Sequence, residues 1–511
     1  MFAIALLIGG YSYAILFLGL FHWLSFIPVL LTTFIFVVLV LKNFRLPRID
    51  LDRSEMIIIS IIVVLAIVNL IGALGPELAF DALWYHLPIP QLFINNNSVY
   101  FIEGNLFYYS LMPKLVEMLY IPALLLANEI PAKLIHYIFG ILCCVATYKI
   151  SRLYLGRKES LLCVLAFYSN LVISWLSITA YSDLARVFFE ATGFYYLLLF
   201  LKNRTQKTLL ASGLIFGLAI CTKILSASSL VVVIPIFLKN FWKNKRWGIE
   251  SYIVFVSVAV ALSMPWLIIA YFYTGNPFYP LFTHLGLRNF SLDLLSPYVF
   301  LQTFVKALLF ADDPISPLYL ITLPLIFYKR VILYKKYAPL LMYVVFSALV
   351  WYFFTQSGGA RFLSLLLPVL TVLCYLSVKE LGWEFARRAI TATIIIISFA
   401  TILYRGAANA KYTPVILGHQ TRQDFLMANL NFNFGDFYDE NSEIRDIVGN
   451  DLVLISGVHN LYYVDFNYTL SEWDNAYKAK YILIQGNVPP VYNQLLSIYK
   501  NDKTNVTLYK L

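Results

Sequence analysis

The 511-residue chain is 60% hydrophobic and 17% aromatic, with only 13% charged residues, against about 25% charged in an average soluble domain. Together with a mean hydropathy of +0.74, this excludes a soluble multidomain enzyme, a disordered chain and a fibre, and leaves a polytopic membrane protein. The net charge of +10 is dispersed, and no block of like charge is long enough to engage nucleic acid.

The first residues, MFAIALLIGG, carry no basic flank and no cleavage pattern; they read as a membrane span, not a signal peptide. Apolar runs follow one another at 2–21, 24–41, 56–74, 133–151, 160–178, 184–201, 208–222, 224–238, 250–272, 316–328, 338–354, 362–378 and 389–404. They predict an α-helical bundle of about 13 transmembrane helices, with 11–13 as the range because three runs are short. Basic clusters at 42–53, 149–158, 202–207, 239–246, 329–336 and 379–388 hold more than half of the 38 Lys and Arg residues. Successive clusters are two runs apart, so the positive-inside rule places all six, and the N-terminus, in the cytoplasm. Outer loops then span 75–132 and 273–315. Within them, 114–126 and 297–310 are apolar but too short to cross, and read as interfacial or re-entrant helices.

The composition turns towards Asn, Asp, Tyr and Lys after about 405. Helices are predicted at 421–430 and 440–448 and strands at 451–456, 480–485 and 506–511, which makes 405–511 a small extracytoplasmic α/β domain. The chain thus divides into two leading helices with a basic loop (1–55), a membrane domain (56–404) and the tail (405–511). The five cysteines all lie in apolar runs, which suits helix packing and neither a disulfide framework nor a zinc site.

An ionisable side chain at membrane depth costs about 2.5–3.5 kcal/mol on insertion scales, so the places where this chain tolerates them are informative. Asp81 and His86 fall in the first outer loop. Asp183 opens a span from its outer end, Lys223 sits at an outer turn, and Arg361 opens a later span from outside. These five polar groups, distant in sequence, converge on one membrane face. Asp183, Arg186 and Glu190 share one helix face, with Arg186 and Glu190 spaced as an i,i+4 structural ion pair and Glu190 about 10 Å below Asp183. In the tail, His419, Arg422 and His459 are exposed polar candidates without a role. A carboxylate beside cations at helix ends suits an anionic lipid headgroup: Arg and Lys hold phosphate oxygens and stabilise a leaving phosphate, and an Asp takes the proton of an attacking hydroxyl. No phosphate-binding loop or dinucleotide fingerprint is present.

The chain resembles bacterial members of the GT-C superfamily of integral-membrane glycosyltransferases, which includes protein O-mannosyltransferases and the aminoarabinose transferases of lipid A. The likeness rests on Phe80-Asp81-Ala82-Leu83-Trp84-Tyr85-His86 in the first outer loop, Tyr181-Ser182-Asp183-Leu184-Ala185 and Gly217-Leu218-Ala219 through Thr222-Lys223. It continues in Gly275-Asn276-Pro277 with Tyr279-Pro280, and in Arg361-Phe362 with Leu367-Pro368. The resemblance implies transfer of a sugar, with inversion, from a polyprenyl-phosphate carrier to a hydroxyl on a lipid, glycan or protein, at the extracytoplasmic face of the plasma (bacterial inner) membrane. It makes Asp81 the general base, puts Lys223 and Arg361 at the carrier phosphate, and has Asp183 orient the acceptor. His86, Glu77 and Tyr85 are candidates for positioning donor or acceptor. Asp81 is followed by Ala82 and not by a second acid, a departure from the paired-acid pattern for which Glu77 is a distant substitute. That weakens the case for a divalent cation, Mg2+ or Mn2+, whose ligands would be Asp81, Asp183 and His86. The alternatives are a surface-polysaccharide ligase or polymerase, which differs in acceptor, and a transporter or flippase of lipid-linked sugars, which would place its polar groups near the midplane in two related halves.

Overall fold

The computed structural model describes residues 1–43, 50–104, 109–243, 248–279, 292–311, 314–489, 492 and 494–511. Arg45, Arg48, Lys245, Arg246, Pro280 and part of the loop at 273–315 lie outside them. The chain begins with α1 (Phe2–Leu20), α2 (Phe26–Asn43) and α3 (Arg53–Leu74). Asp52 accepts from the Glu55 N–H, and the Glu55 carboxylate accepts in return from the Asp52 N–H, which closes the start of α3. A wide turn at Ala82–His86 leads to α4 (Pro88–Asn95), α5 (Leu115–Leu126), α6 (Glu129–Ser151), α7 (Arg157–Tyr168) and α8 (Leu171–Leu176). Then come α9 (Asp183–Asn203), α10 (Gln206–Thr222), α11 (Ser228–Val232), α12 (Ile234–Lys243) and α13 (Ile249–Thr274). The membrane part ends with α14 (Pro297–Leu309), α15 (Leu318–Tyr328), α16 (Arg330–Val350), α17 (Leu367–Lys379) and α18 (Glu384–Asn409).

Ten helical stretches among the described residues are long and apolar enough to cross a membrane. Three anticipated runs resolve differently. The run at 208–222 is the 17-residue α10, at the lower limit for a crossing. The run at 316–328 is the 11-residue α15. The run at 160–178 is not one helix: it breaks at Ser169–Asn170 into α7 and α8. The Asn170 side chain caps the Ala166 and Phe167 carbonyls at 2.9 and 2.7 Å, and the Leu171 and Val172 N–H groups donate to Ile315 and Pro314. A break in an apolar helix is tolerated where freed backbone groups find protein partners, as these do. The short apolar segment at 114–126, expected to be interfacial or re-entrant, is the 12-residue α5, buried along Leu115–Leu124.

Close helix contact is set by glycine at one place that matters for the site. Gly213 and Gly217 stand one turn apart on α10, against α13. A Cβ on either would come within 2.9 or 2.8 Å of the Phe255 or Ala259 carbonyl oxygen, so only glycine lets the two backbones approach.

In the tail, α18 runs to Asn409, past the composition change near 405, and is followed by α19 (Thr413–Ile416), α20 (Arg422–Asn429) and α21 (Glu443–Val448). The strands are β1 (Val453–Ser456), β2 (Tyr468–Thr469), β3 (Tyr481–Gln485), β4 (Ser497–Asn501) and β5 (Val506–Lys510). They form one mixed sheet in the order β2-β1-β3-β5-β4, with β1 parallel to β2 and β3, and β5 antiparallel to β3 and β4. The sequence pattern misses β2 and β4, which are short or half exposed.

The tail is fastened to the bundle. Arg422, read from sequence as exposed and without a role, donates to both oxygens of the fully buried Glu129 at 2.7 and 2.8 Å. The Tyr463 hydroxyl donates to the Glu77 carbonyl and the Tyr462 N–H to the Leu83 carbonyl. Burial and the Glu129 carboxylate act on the Arg422 guanidinium in opposite senses, and the carboxylate prevails, raising it above its ordinary range. His419 and His459 remain exposed.

Candidate active site

Four charged side chains meet where the loop after α3, the start of α9, the end of α10 and the approach to α17 come together. The Arg361 guanidinium donates to Asp81 Oδ2 at 2.6 Å, and its Nε lies 3.9 Å from Asp183 Oδ2. Lys223 Nζ donates to Asp183 Oδ1 at 3.0 Å. The sequence separates these residues by up to 280 positions. Formal charges cancel within the cluster: two carboxylates, two cations. Asp183 is buried, whereas the Asp81, Arg361 and Lys223 side chains each keep 16–19% of their surface open, enough to meet a ligand. Asp183 Oδ2 and Arg361 Nε are themselves buried without a hydrogen-bond partner among the described residues.

Each group is held by local structure. Gly359, at φ +60°, turns the chain in a conformation that L side chains rarely adopt and brings Arg361 down onto the Tyr181 and Phe362 rings, 4.9 and 5.1 Å from their centroids. Lys223 lies 4.7 Å from the Phe362 centroid. These aromatic faces hold two like charges beside each other by cation–π attraction. His136 fixes the start of α9. Its Nδ1 faces the Leu176 and Thr179 carbonyls at 2.8 and 2.9 Å and so carries the hydrogen, which leaves Nε2 to accept the Leu184 N–H at 3.0 Å. An imidazole thereby caps the helix that presents Asp183.

Tyr85 donates to Asp81 Oδ2 at 3.2 Å. Burial and the Asp81 charge push its phenol well above the ordinary value, so it stays a donor. Tyr181 accepts the Asp81 backbone N–H at 3.2 Å. His86 does not reach the acids. Its Nδ1 is 2.7 Å from Glu117 Oε1, and its ring packs on Tyr85 and Tyr181 with centroids 4.2 and 5.4 Å away. Burial opposes the Glu117 charge, but the His86 hydrogen bond and Lys114 hold that carboxyl below its usual range. Glu77 is also spent elsewhere: its oxygens accept the Leu78, Ala79 and Ala180 N–H groups at 2.9, 2.8 and 2.6 Å, which ties the loop to the stretch of chain before α9. Burial raises its carboxyl above the usual range even so, against Lys133 and those three donors. Lys133 closes the end of α3 by donating to the Gly72, Gly75 and Pro76 carbonyls.

Arg186 and Glu190 pair at 2.9 Å as the helix spacing requires. Ser226, Ser229 and Tyr343 complete the Glu190 carboxylate at 2.8, 2.6 and 3.2 Å, so this buried set braces α9 against the segment after Lys223 and against α16. Asp81, Asp183 and His86 do not converge as ligands for a divalent cation: a guanidinium stands between the two acids and His86 is turned to Glu117. Among the described residues no group of three His, Cys, Asp or Glu is disposed to hold a metal ion. All five cysteines are free and buried.

Sequence reading missed Tyr181, Phe362, His136 and Glu117 as parts of the site. Two of these had a signal: His136 and Glu117 are ionisable residues inside apolar runs. Tyr181 and Phe362 stood in the motifs quoted for the resemblance but drew no role of their own, since an aromatic residue is commonplace in a chain so rich in them.

The chain has counterparts in part of its sequence and in its fold. Residues 118–269 match the family described as dolichyl-phosphate-mannose-protein mannosyltransferase, a stretch that contains Asp183 and Lys223. No curated protein matches the chain in sequence. Crystal structures of ArnT from Cupriavidus metallidurans superpose with TM-scores of 0.61 in the apo state and 0.60 bound to undecaprenyl phosphate, each at 12% identity over 90% of this chain and 98% of the other. The likeness is one of fold: this chain and ArnT share their architecture over nearly the whole length of both. A crystal structure of the Archaeoglobus fulgidus oligosaccharyltransferase is a more distant match, with a TM-score of 0.44 at 12% identity over 83% of this chain and 69% of that one. In this chain the charged cluster lies where the long loop after α3 folds back over the bundle, beneath the tail.

Proposed function

We propose that the protein transfers a sugar from a polyprenyl-phosphate carrier to a hydroxyl acceptor at the extracytoplasmic face of the membrane, with Asp81 as general base and Arg361 and Lys223 at the carrier phosphate. One observation carries the reading: Arg361 bridges Asp81 and Asp183 in a half-open cluster whose charges cancel. A sugar phosphodiester brings one negative charge, and its arrival draws Arg361 and Lys223 towards the phosphate oxygens. Asp81 then loses its strongest partner and is free to meet the acceptor hydroxyl. It accepts the proton of the acceptor hydroxyl, whose oxygen attacks the anomeric carbon from the face opposite the carrier. The bond from that carbon to the phosphate oxygen breaks, and the carrier leaves as a phosphate monoester bearing one more negative charge, which the two cations stabilise. A single displacement of this kind inverts the anomeric centre. Asp183, fixed by the capped start of α9, is uncovered as Lys223 turns to the phosphate, and orients the acceptor. Tyr85 steadies Asp81 by hydrogen bonding, and His86 supports Tyr85 from behind. The ArnT structure with undecaprenyl phosphate supports a polyprenyl carrier; the basic clusters at the opposite end of the bundle support the sidedness.

The test uses purified protein in lipid with radiolabelled polyprenyl-phosphate sugars, scored for release of the carrier phosphate. Asp81→Asn should lower release by at least about 100-fold, within the range for losing a general base, while the carrier still binds. Release that persists in Asp81→Asn would overturn the assignment of the base.

A further inference from the structure

We propose that a cleft at the far end of the bundle binds one anionic phospholipid. The cleft, about 460 Å3, lies between the start of α7, the end of α17 and the start of α18. It is remote from the charged cluster. α6 runs from Glu129, which holds Arg422 of the tail, to Ser151 just before α7, and its 23 residues span about 35 Å. The opposite end of α18 returns to the catalytic side, where Asn409 donates to the Val68 carbonyl near the end of α3.

The depth of the cleft is marked by aromatic residues. Trp383 and Phe385 flank the start of α18 and are 67% and 81% exposed, as in the aromatic belt at a membrane interface. The cleft therefore opens at headgroup level. Its rim is charged: Lys158 on α7, and Arg387 and Arg388 on α18. Below the rim the lining turns apolar, with Leu162, Ala392 and Ile395. From Glu384 to Ile395 the helix descends about 16 Å, half of a hydrocarbon core about 30 Å thick and thus one leaflet. Beyond Tyr375 the packing between α7, α15, α17 and α18 closes to a gap of about 10 Å3, so the acyl chains lie along the apolar wall of the cleft. Charged rim and apolar wall succeed one another in the order of headgroup and acyl chain.

The charge is complementary to a phosphodiester. Arg387 and Arg388 share the single carboxylate of Glu384, and Arg387 Nε is buried without a hydrogen-bond partner among the described residues. Across the cleft Glu159 is taken up by Lys379 at 3.3 Å and by the Gly156 N–H. The cleft lining thus holds three cations, Lys158, Arg387 and Arg388, against two acids, Glu159 and Glu384, and Glu159 is already taken up by Lys379. A zwitterionic headgroup would bring its own cation into this excess; an anionic one neutralises it.

The experiment compares phosphatidylglycerol with phosphatidylcholine on the full-length protein, delipidated and titrated with each lipid and read by native mass spectrometry. The wild type should retain one phosphatidylglycerol in preference to phosphatidylcholine. Arg387→Gln with Arg388→Gln should weaken that retention about 30-fold, from two basic residues at a membrane surface. Glu384→Gln should tighten it, because both arginines are released to the phosphate. Ala392→Trp should block it with every charge in place. Equal retention of the two lipids, no tightening in Glu384→Gln, or full retention in Ala392→Trp would each overturn the proposal, and the last two variants decide it even where the double arginine variant fails to fold. No outcome depends on sugar transfer.

Discussion

Replacing Arg361 with Gln removes the cation that Asp81 holds at 2.6 Å, and leaves Asp183 with Lys223 at 3.0 Å. Breaking a buried pair by deleting one partner costs about 3–5 kcal/mol. Asp81 keeps 18% of its side chain open, so water recovers part of this and the lower figure, about 3 kcal/mol, applies. With an unfolding entropy of about 2.1 cal/mol/K per residue, a chain of this length should lose about 3 °C in midpoint. If an unpaired carboxylate is the source of the cost, Asp81→Asn added to Arg361→Gln should restore at least half of it. The activity should not return, because both the base and the phosphate cation are then missing. Thermal unfolding of the two single variants and the double variant, followed by tryptophan fluorescence in one detergent, measures the cycle; competition by undecaprenyl phosphate measures the loss of carrier affinity in parallel. A double variant no more stable than Arg361→Gln would refute the reasoning, since the charge on Asp81 would then not be what Arg361 balances.

Gly217→Ala places a methyl group 2.8 Å from the Ala259 carbonyl and should cost about 1–3 kcal/mol by overpacking, whereas Gly10→Ala, where a Cβ meets nothing within 4 Å, should be neutral; thermal unfolding of both checks this. Arg422→Ala strands the Glu129 carboxylate and should loosen the tail, seen as faster proteolytic cleavage within 410–511, with Glu129→Gln restoring resistance. Burial lowers the Lys114 ammonium to about 8, with Glu117 opposing. The folded protein therefore holds fewer protons than the unfolded chain between about pH 8 and 10.4, and this residue's contribution to stability rises with pH across that window. Lys114→Met should stabilise at pH 7 by up to about 3 kcal/mol, a gain that shrinks as the pH approaches 10.4; an equal gain at both pH values would show that the charge is not the cause.

Much of the site was legible in the order of residues. Asp81, Asp183, Lys223 and Arg361 stood out because a charge near a bilayer is expensive and its presence needs a reason. Arg186 and Glu190 stood out because helix geometry alone puts them on one face. The pairing was not legible. Nothing in the chain order says that Arg361 reaches Asp81 and leaves Lys223 to Asp183, that His86 turns to Glu117, or that Glu77 is consumed by backbone donors. Side-chain partners across 40 to 280 positions are chosen by helix packing, and packing depends on such details as the glycines of α10.

The sequence by itself determined the membrane class, the apolar helices and the tail strands with a strong alternating or buried pattern, because hydropathy and periodicity act locally and are large in free energy. Only the tertiary structure decided the rest. It broke the run at 160–178, since the carbonyls of Pro314 and Ile315 were there to receive the freed N–H groups. It also buried α5 along most of its length and turned Arg422 from a surface cation into the fastening of the tail. Each of those outcomes rests on a partner distant in the chain, and a local pattern carries no record of which partner arrives.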